Sequence, residues 1–398
     1  MEKQINIPRL RFPDFTGEWD KKTLREVTYK TNKKNKSREL LPVYSINNVD
    51  GFVPQSEQFE GVDSNDRGYD TSLYKIVENN TFAYNPARIN VGSIGYSGNL
   101  QKVIVSSLYV CFKATDNIDD LFFCQFIKTG KFNNSVNRNG EGGVRIYLFY
   151  ENFSLIKFSF PTLLEQQKIA TFLAAADDKL QALKKKKALL EQYKKGVMQK
   201  LFSQELRFKD ENGGNFPEWE VKKLGDIITI FSGKSPSLYE LFEDGKNPFI
   251  KVEELNNCNK YQKLSRNYTD STKGLIETNS IIFPKRGAAI LNNKVRINVV
   301  PLIMDSNLMA LKCNENIFSE FLYYFIFHEK LYKIADTSSI PQINNKHIIP
   351  YLILLPCHEE QSKIATFLST LDEKINQVAE QIAQTATWKK GLLQKMFI

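Results

Sequence analysis

Ser232-Gly233-Lys234-Ser235 ends like a phosphate-binding loop, in which backbone amides and a lysine cradle polyphosphate. That loop needs a glycine five residues before Gly233, where this chain has Ile228, and Pro236 obstructs the helix that must follow. A turn is the better reading. Gly92-Ser93-Ile94-Gly95-Tyr96-Ser97-Gly98 has glycines but lacks the strand–GxGxxG–helix setting of a dinucleotide or S-adenosylmethionine site. Asn85-Pro86 precedes Ala87-Arg88, not the proline–aromatic pair with which an amino-methyltransferase grips its base. Pro13-Asp14 and Asp20-Lys21-Lys22 are too closely spaced for a PD…(D/E)xK nuclease centre; the nearby Trp19 and its counterpart Trp219 read as core anchors. The histidines (His328, His347, His358) lack metal-ligand spacing. The residues therefore point away from catalysis and from a metal.

Composition narrows the partner. A chain of 398 residues, 42% apolar and 25% charged, has room for two or three domains and an ordinary globular core. No run of eighteen apolar residues spans a membrane. MEKQINIPRLRF lacks the apolar core of a signal peptide. Five widely spaced cysteines (Cys111, Cys124, Cys258, Cys313, Cys357) without a CxxC are then expected to be reduced, buried thiols in a cytoplasmic protein. Net charge +9 favours a polyanionic partner, and 12% aromatics interleaved with Asn, Lys and Arg suit a base-contacting surface.

What must position such a surface is a repeat. Pro161 to Phe202 returns as Pro356 to Phe397 at a constant offset of 195: Gln166, Lys168 to Leu173, Asp177, Lys179, Lys195-Gly196 and Gln199-Lys200 all recur. Each copy opens at a proline and meets no further Gly or Pro until Gly196 or Gly391, so each is expected to be one long helix. Alternating steps of four and three pick out Ile169, Leu173, Ala176, Leu180, Leu183, Lys187, Leu190, Lys194, Val197 and Leu201. The second copy gives Ile364, Leu368, Leu371, Ile375, Val378, Ile382, Thr385, Lys389, Leu392 and Met396. Eight of ten are apolar in each copy, a coiled-coil seam. One helix leads out of the first half and the other leads back from the second, so side-by-side packing must be antiparallel, with a pseudo-two-fold repeat. The polar positions Lys194, Thr385 and Lys389 are expected to be completed by another protein. At ~1.5 Å per residue each rod is roughly 55–60 Å long, or about 16–17 base pairs at ~3.4 Å.

Trp19 and Leu24 recur as Trp219 and Leu224, while the interiors between the shared ends diverge. They read as mixed α/β: helices over 122–128 and 318–332, and strands over 104–112, 144–149, 155–158, 227–231, 280–283 and 352–355. Segments 90–99, 133–143 and 338–346, rich in Gly, Asn and Ser, read as surface loops, where binding concentrates.

The FPTLLEQQKIATFL…DDKL…QKLF pattern, its copy LPCHEEQSKIATFL…LDEKI…LLQKMF, and FPEWxxKxLGDI together resemble the specificity subunit of type I restriction–modification systems over the whole chain. The resemblance implies an α+β fold: two mixed α/β target-recognition domains joined by two long antiparallel coiled-coil helices. Domain 1 would span 1–160, the central spacer helix 161–205, domain 2 206–355 and the C-terminal spacer helix 356–398. Each domain would read one half of a bipartite double-stranded DNA target, and the helices would set the spacing. The subunit would be non-catalytic, bacterial and cytoplasmic, without a membrane association or a cofactor of its own. Two methyltransferase subunits would bring S-adenosylmethionine for adenine methylation, and restriction subunits joined through them would bring ATP and Mg.

Phosphate contacts then fall to Lys and Arg, and base readout to Arg, Asn, Gln and Ser on loops. In the first half these are Arg88, Asn90, Ser93, Tyr96, Arg138 and Arg145. In the second they are Lys285, Arg286, Asn292, Asn293, Lys294, Arg296, Ser339, Gln342, Asn344 and Lys346. The run Lys184 to Lys187 reads as a solvated helix face. A fused DNA methyltransferase is the competing enzyme class, excluded by the missing motifs. A coiled-coil DNA-binding adaptor outside restriction–modification is the other alternative.

Overall fold

Two helices organise the computed structural model, which describes residues 6–59, 61–142, 146–336 and 340–398. They are Leu163–Phe202 and His358–Met396, each beginning two residues after its proline. Gly196 and Gly391 lie inside them at a propensity cost of ~1 kcal/mol each. That cost is small beside the ~1.5–3 kcal/mol gained by each fully buried seam leucine. Leu173, Leu201 and Leu368 are fully buried, and every one of the sixteen apolar seam positions is buried or half-buried.

The chain divides into two compact units, Met1–Lys184 with Glu380–Ile398, and Lys185–Ala379. Each unit holds one interior and a segment of both long helices. In unit 1, Ile169 and Leu173 share a core with Leu392, Met396 and Phe397; in unit 2, Met198 and Leu201 share one with Ile364 and Leu368. The start of one helix thus meets the end of the other in each unit, which is the antiparallel seam.

The interiors enter and leave through equivalent two-stranded clamps. Asp20–Thr23 pairs antiparallel with Lys157–Phe160, from Asp20↔Phe160 to Thr23↔Lys157. Glu220–Lys223 pairs with Leu352–Leu355, from Glu220↔Leu355 to Lys223↔Leu352. A single turn of helix follows each first strand, Leu24–Val27 and Leu224–Ile227. Between the clamps the two units share one strand order and differ only in their edge strands. Unit 1 has a four-stranded sheet in the order Thr28–Thr31, Val110–Ala114, Phe82–Tyr84, Ile94–Tyr96, and a second in the order Phe52–Pro54, Val43–Ile46, Lys102–Val105, Lys75–Glu78. Unit 2 has a five-stranded sheet, Ile228–Ser232, Leu308–Cys313, Ser280–Pro284, Arg296–Asn298, Tyr261–Gln262, and a three-stranded one built around Asn247–Ile250.

Several local expectations are corrected. The strand expected over 104–112 is two strands, Lys102–Val105 and Val110–Ala114. Most of the expected 133–143 loop is helix, Gly130–Asn139, because Thr129 caps it through Phe132 N–H and Phe132 and Val136 bury one face a turn apart. No strand forms over 146–149, where Tyr147 makes a single bridge to Glu141; residues 144 and 145 lie outside the described residues. Among the described residues, no helix is long and apolar enough to cross a membrane.

Candidate nucleic-acid interface

Three polar nodes dock each interior on its helices, and each node is made twice. In the first, the buried Glu165 carboxylate accepts from Arg11 Nε at 2.8 Å, Arg11 Nη2 at 2.7 Å and Trp19 Nε1 at 3.3 Å. Its repeat, Glu360, accepts from Arg207 Nε at 3.2 Å, Arg207 Nη2 at 2.9 Å and Trp219 Nε1 at 2.9 Å. The tryptophans are buried anchors, and Asp14 of the rejected nuclease motif pairs with Lys168.

In the second node, Gln166 Oε1 accepts from Asp119 N–H at 2.9 Å, and its Nε2 donates to the carbonyls of Asn117 at 3.1 Å and Pro161 at 2.9 Å. Gln361 does the same with Phe318 N–H and the carbonyls of Asn316 and Pro356. This match exposes a third stretch of repeat inside interiors that otherwise diverge. Asn117-Ile118, Phe122 and Phe126 recur 199 residues later as Asn316-Ile317, Phe321 and Phe325. Trp19 meets Phe122 edge-on at 6.4 Å and Trp219 meets Phe321 edge-on at 6.3 Å. The N-I-x₃-F-x₃-F spacing was the available signal; a third offset hid it.

In the third node, Asp177 accepts from Lys389 Nζ at 2.5 Å and Gln125 Nε2 at 2.9 Å. Asp372 accepts from Lys194 Nζ at 2.5 Å and from the Tyr324 hydroxyl at 2.6 Å. The expectation that another protein completes Lys194 and Lys389 is overturned. Each finds a carboxylate on the other long helix, and Thr385 is itself buried. Lys194 also lies over the rings of Tyr324 and Phe327. Burial works against the charge on Asp177, but the bonds from Lys389 and Gln125 outweigh it and hold the carboxyl below its ordinary range.

The recognition candidates divide by what their side chains already do. In unit 1, Arg88 is exposed and Asn90 half-buried on the turn Ile89–Val91, which packs against the helix carrying exposed Arg138. Ser93 is only 1% exposed, its hydroxyl donating to the Ile46 carbonyl at 2.8 Å, so it faces the interior. Tyr96 donates to Asn80 and Asp120 and packs on Phe82. Arg145 lies outside the described residues.

In unit 2, the segments after strand Ser280–Pro284 and around Gln342 come together. The backbones of Arg286 and Gln342 form an isolated antiparallel bridge, and Ile343 N–H donates to the Lys285 carbonyl at 2.9 Å. Burial, then neighbouring Arg286, pushes the Lys285 amine below its ordinary value. Arg286, Asn292, Asn344 and Lys346 are exposed and Lys294 half-buried. Asn293 holds the Phe327 carbonyl and the Leu331 N–H, and Arg296 donates to the carbonyls of Val295 and Leu255, so both are engaged inside the fold. Ser339 lies outside the described residues. No group of three or more His, Cys, Asp or Glu among the described residues is placed to hold a metal.

A family profile described as "Type I restriction modification DNA specificity domain" matches residues 17–192 and again 217–386. The chain belongs to the type I restriction–modification DNA specificity family. The two matches reproduce the internal repeat. Among curated relatives, the MjaIX type I restriction enzyme specificity subunit of Methanocaldococcus jannaschii is 29% identical over 61% of this chain and 60% of its own length. The MjaVIII specificity subunit of the same organism is 26% identical over 74% of this chain and 73% of its own. The match to MjaIX thus spans three-fifths of that relative. Two solved structures share the fold of this specificity-family chain at 16% identity and TM-score 0.60. One, from work on complex assembly and conformational transition of the type I R-M system, aligns over 95% of this chain and 97% of its own. The other, a type I restriction–modification S subunit from M. genitalium, aligns over 98% and 99%.

Proposed function

We propose that this chain is the DNA-specificity subunit of a type I restriction–modification complex, in which each unit's interior reads one half of a bipartite double-stranded target. The observation that carries the reading is the doubled set of nodes: the same helix positions hold two interiors that share a sheet order but diverge in sequence and in edge strands. One frame carrying two different surfaces is what a split recognition sequence requires. Arg88, Asn90 and Arg138 in unit 1, and Lys285, Arg286, Asn292, Lys294, Gln342, Asn344 and Lys346 in unit 2, supply the phosphate and base contacts. The net charge of +9 favours the duplex.

In this reading the chain is non-catalytic. Two methyltransferase subunits bring S-adenosylmethionine, and restriction subunits joined through them bring ATP and Mg. Co-expression with the methyltransferase subunits tests it. Adenine methylation that requires both proteins is expected. Methyl transfer by this chain alone, or equal methylation without it, overturns it.

A further inference from the structure

We propose that Asp177 and Asp372 are positioning residues for DNA recognition: each locks its recognition domain in one orientation on the paired helices, so that together they set the gap read between half-sites. The inference rests on the reading that the interiors bind DNA.

The argument starts from how a domain is attached. In unit 1 the interior helix Asp120–Phe126 is tied to the central helix at its N-terminal end, where Gln166 accepts from Asp119 N–H. That tie and the Glu165 node both lie in the first turn of the central helix, and ties at one end alone leave a domain free to rock. The second tie is Gln125 to Asp177, and Asp177 lies eleven residues beyond Gln166 (177 − 166), or about 16 Å along the helix. Two ties that far apart define an axis and remove the rocking motion.

Asp177 also takes the ammonium of Lys389 from the other long helix, and Lys128 lies 3.7 Å away. One carboxylate therefore joins the domain, its own helix and the antiparallel helix. Its two oxygens offer about four acceptor sites, so these donors fit without competing.

Unit 2 builds the same device from different side chains. Gln361 accepts from Phe318 N–H, and eleven residues on (372 − 361) Asp372 accepts from Tyr324 and Lys194. Gln125 and Tyr324 each stand six residues beyond the backbone tie, yet one is an amide and the other a phenol. The acceptor is constant while the donor follows the interior. A purely local ion pair would need neither the domain donor nor the spacing.

The consequence is leverage. A tilt of ~5° at the node moves a loop ~30 Å away, about one small-domain diameter, by roughly 2.6 Å, which is most of a ~3.4 Å base-pair step.

The test uses the chain in complex with its methyltransferase subunits. Its substrates are synthetic duplexes that carry the half-sites mapped in the host genome, with the gap native, one base pair shorter or one longer. The readout is the ratio of initial methylation rates between native and altered gaps, which a loss of stability alone does not move. The Asp177→Ala, Asp372→Ala double variant is expected to lower that ratio by about tenfold or more, the equivalent of ~1.4 kcal/mol. Gln125→Leu with Tyr324→Phe leaves both ion pairs intact, is expected to act in the same direction, and decides the matter if the aspartate variants do not fold. Unchanged gap discrimination in a folded variant overturns the proposal while leaving the DNA-recognition reading in place. If the unaltered complex methylates none of the duplexes, the DNA-recognition reading itself fails and takes this one with it.

Discussion

Replacing Arg207 by Met strands the carboxylate of Glu360, which has no solvent exposure and would keep only the Trp219 indole N–H. Breaking a buried ion pair from one side costs about 3–5 kcal/mol, because the remaining charge stays desolvated. Arg207 retains 20% side-chain exposure, which places the loss near the lower end, about 3 kcal/mol. Met keeps the aliphatic stem, so packing changes little. About 3 kcal/mol raises the opening equilibrium by ~150-fold. Glu360→Gln removes the charge while preserving shape, and should cost only about 1–2 kcal/mol. The double variant should cost less than the two together, as expected for residues in contact. With two units, a global melt is not a two-state measurement, so amide hydrogen exchange read by peptide is the suitable assay. Faster exchange is expected around Trp219, Leu224 and Leu368, which share the unit 2 core. Arg11→Met should act equivalently around Trp19 and Leu173. A change under about tenfold, or equal effects of Arg207→Met and Glu360→Gln, would refute the stranded-charge reasoning.

Three further outcomes are expected. Burial, only partly offset by Glu329, pushes the His328 imidazole below its ordinary value. The unfolded chain then takes up that proton more readily, so unit 2 is at full strength above about pH 6.5 and weakens as pH falls through that value. His328→Phe, which keeps the stack on Phe202, should flatten this part of the pH profile in hydrogen exchange. Gly233→Ala would set a Cβ 1.7 Å from the Asp305 carbonyl oxygen, so unit 2 should lose about 1–3 kcal/mol as the backbone separates. Arg88→Ala should lower the salt slope of DNA binding by ~1 without changing stability, whereas Ser93→Ala should cost ~1 kcal/mol of stability and leave the slope unchanged.

What the sequence disclosed followed from periodicity. The seam was legible because eight of ten spaced positions are apolar in each helix, and Trp19 and Trp219 were legible as anchors because they sit at equivalent places in the repeat. The ion pairs were within reach: Asp177 and Asp372 stand among the matched residues, and pairing two antiparallel copies sets each opposite the other copy's lysine. They were read as polar gaps because heptad counting scores a lysine as a break and says nothing of its partner. The interior docking helices were expected over 122–128 and 318–332, but their equivalence was missed because insertions shift the two halves to a third offset, so Asn117-Ile118 and Asn316-Ile317 fall out of register with both ends. Composition misled over 133–139, where asparagines suggest a loop but Phe132 and Val136 bury one helical face. Exposed Arg88 and buried Ser93 lie five residues apart in one Gly- and Asn-rich segment, and only tertiary packing separates a reader from a strut.

The proposed function has helix length set the gap between two half-sites. The most direct test is single-molecule sequencing of methylated adenines in cells expressing the chain with its methyltransferase subunits, before and after deletion of residues 181–187 and 376–382. Each deletion shortens a helix by ~10.5 Å, about three base-pair steps. Two half-sites separated by a fixed gap are predicted, with the half-sites retained and the gap changed in the deletion variant. A single contiguous site, or a gap that the deletion leaves unchanged, would contradict the account.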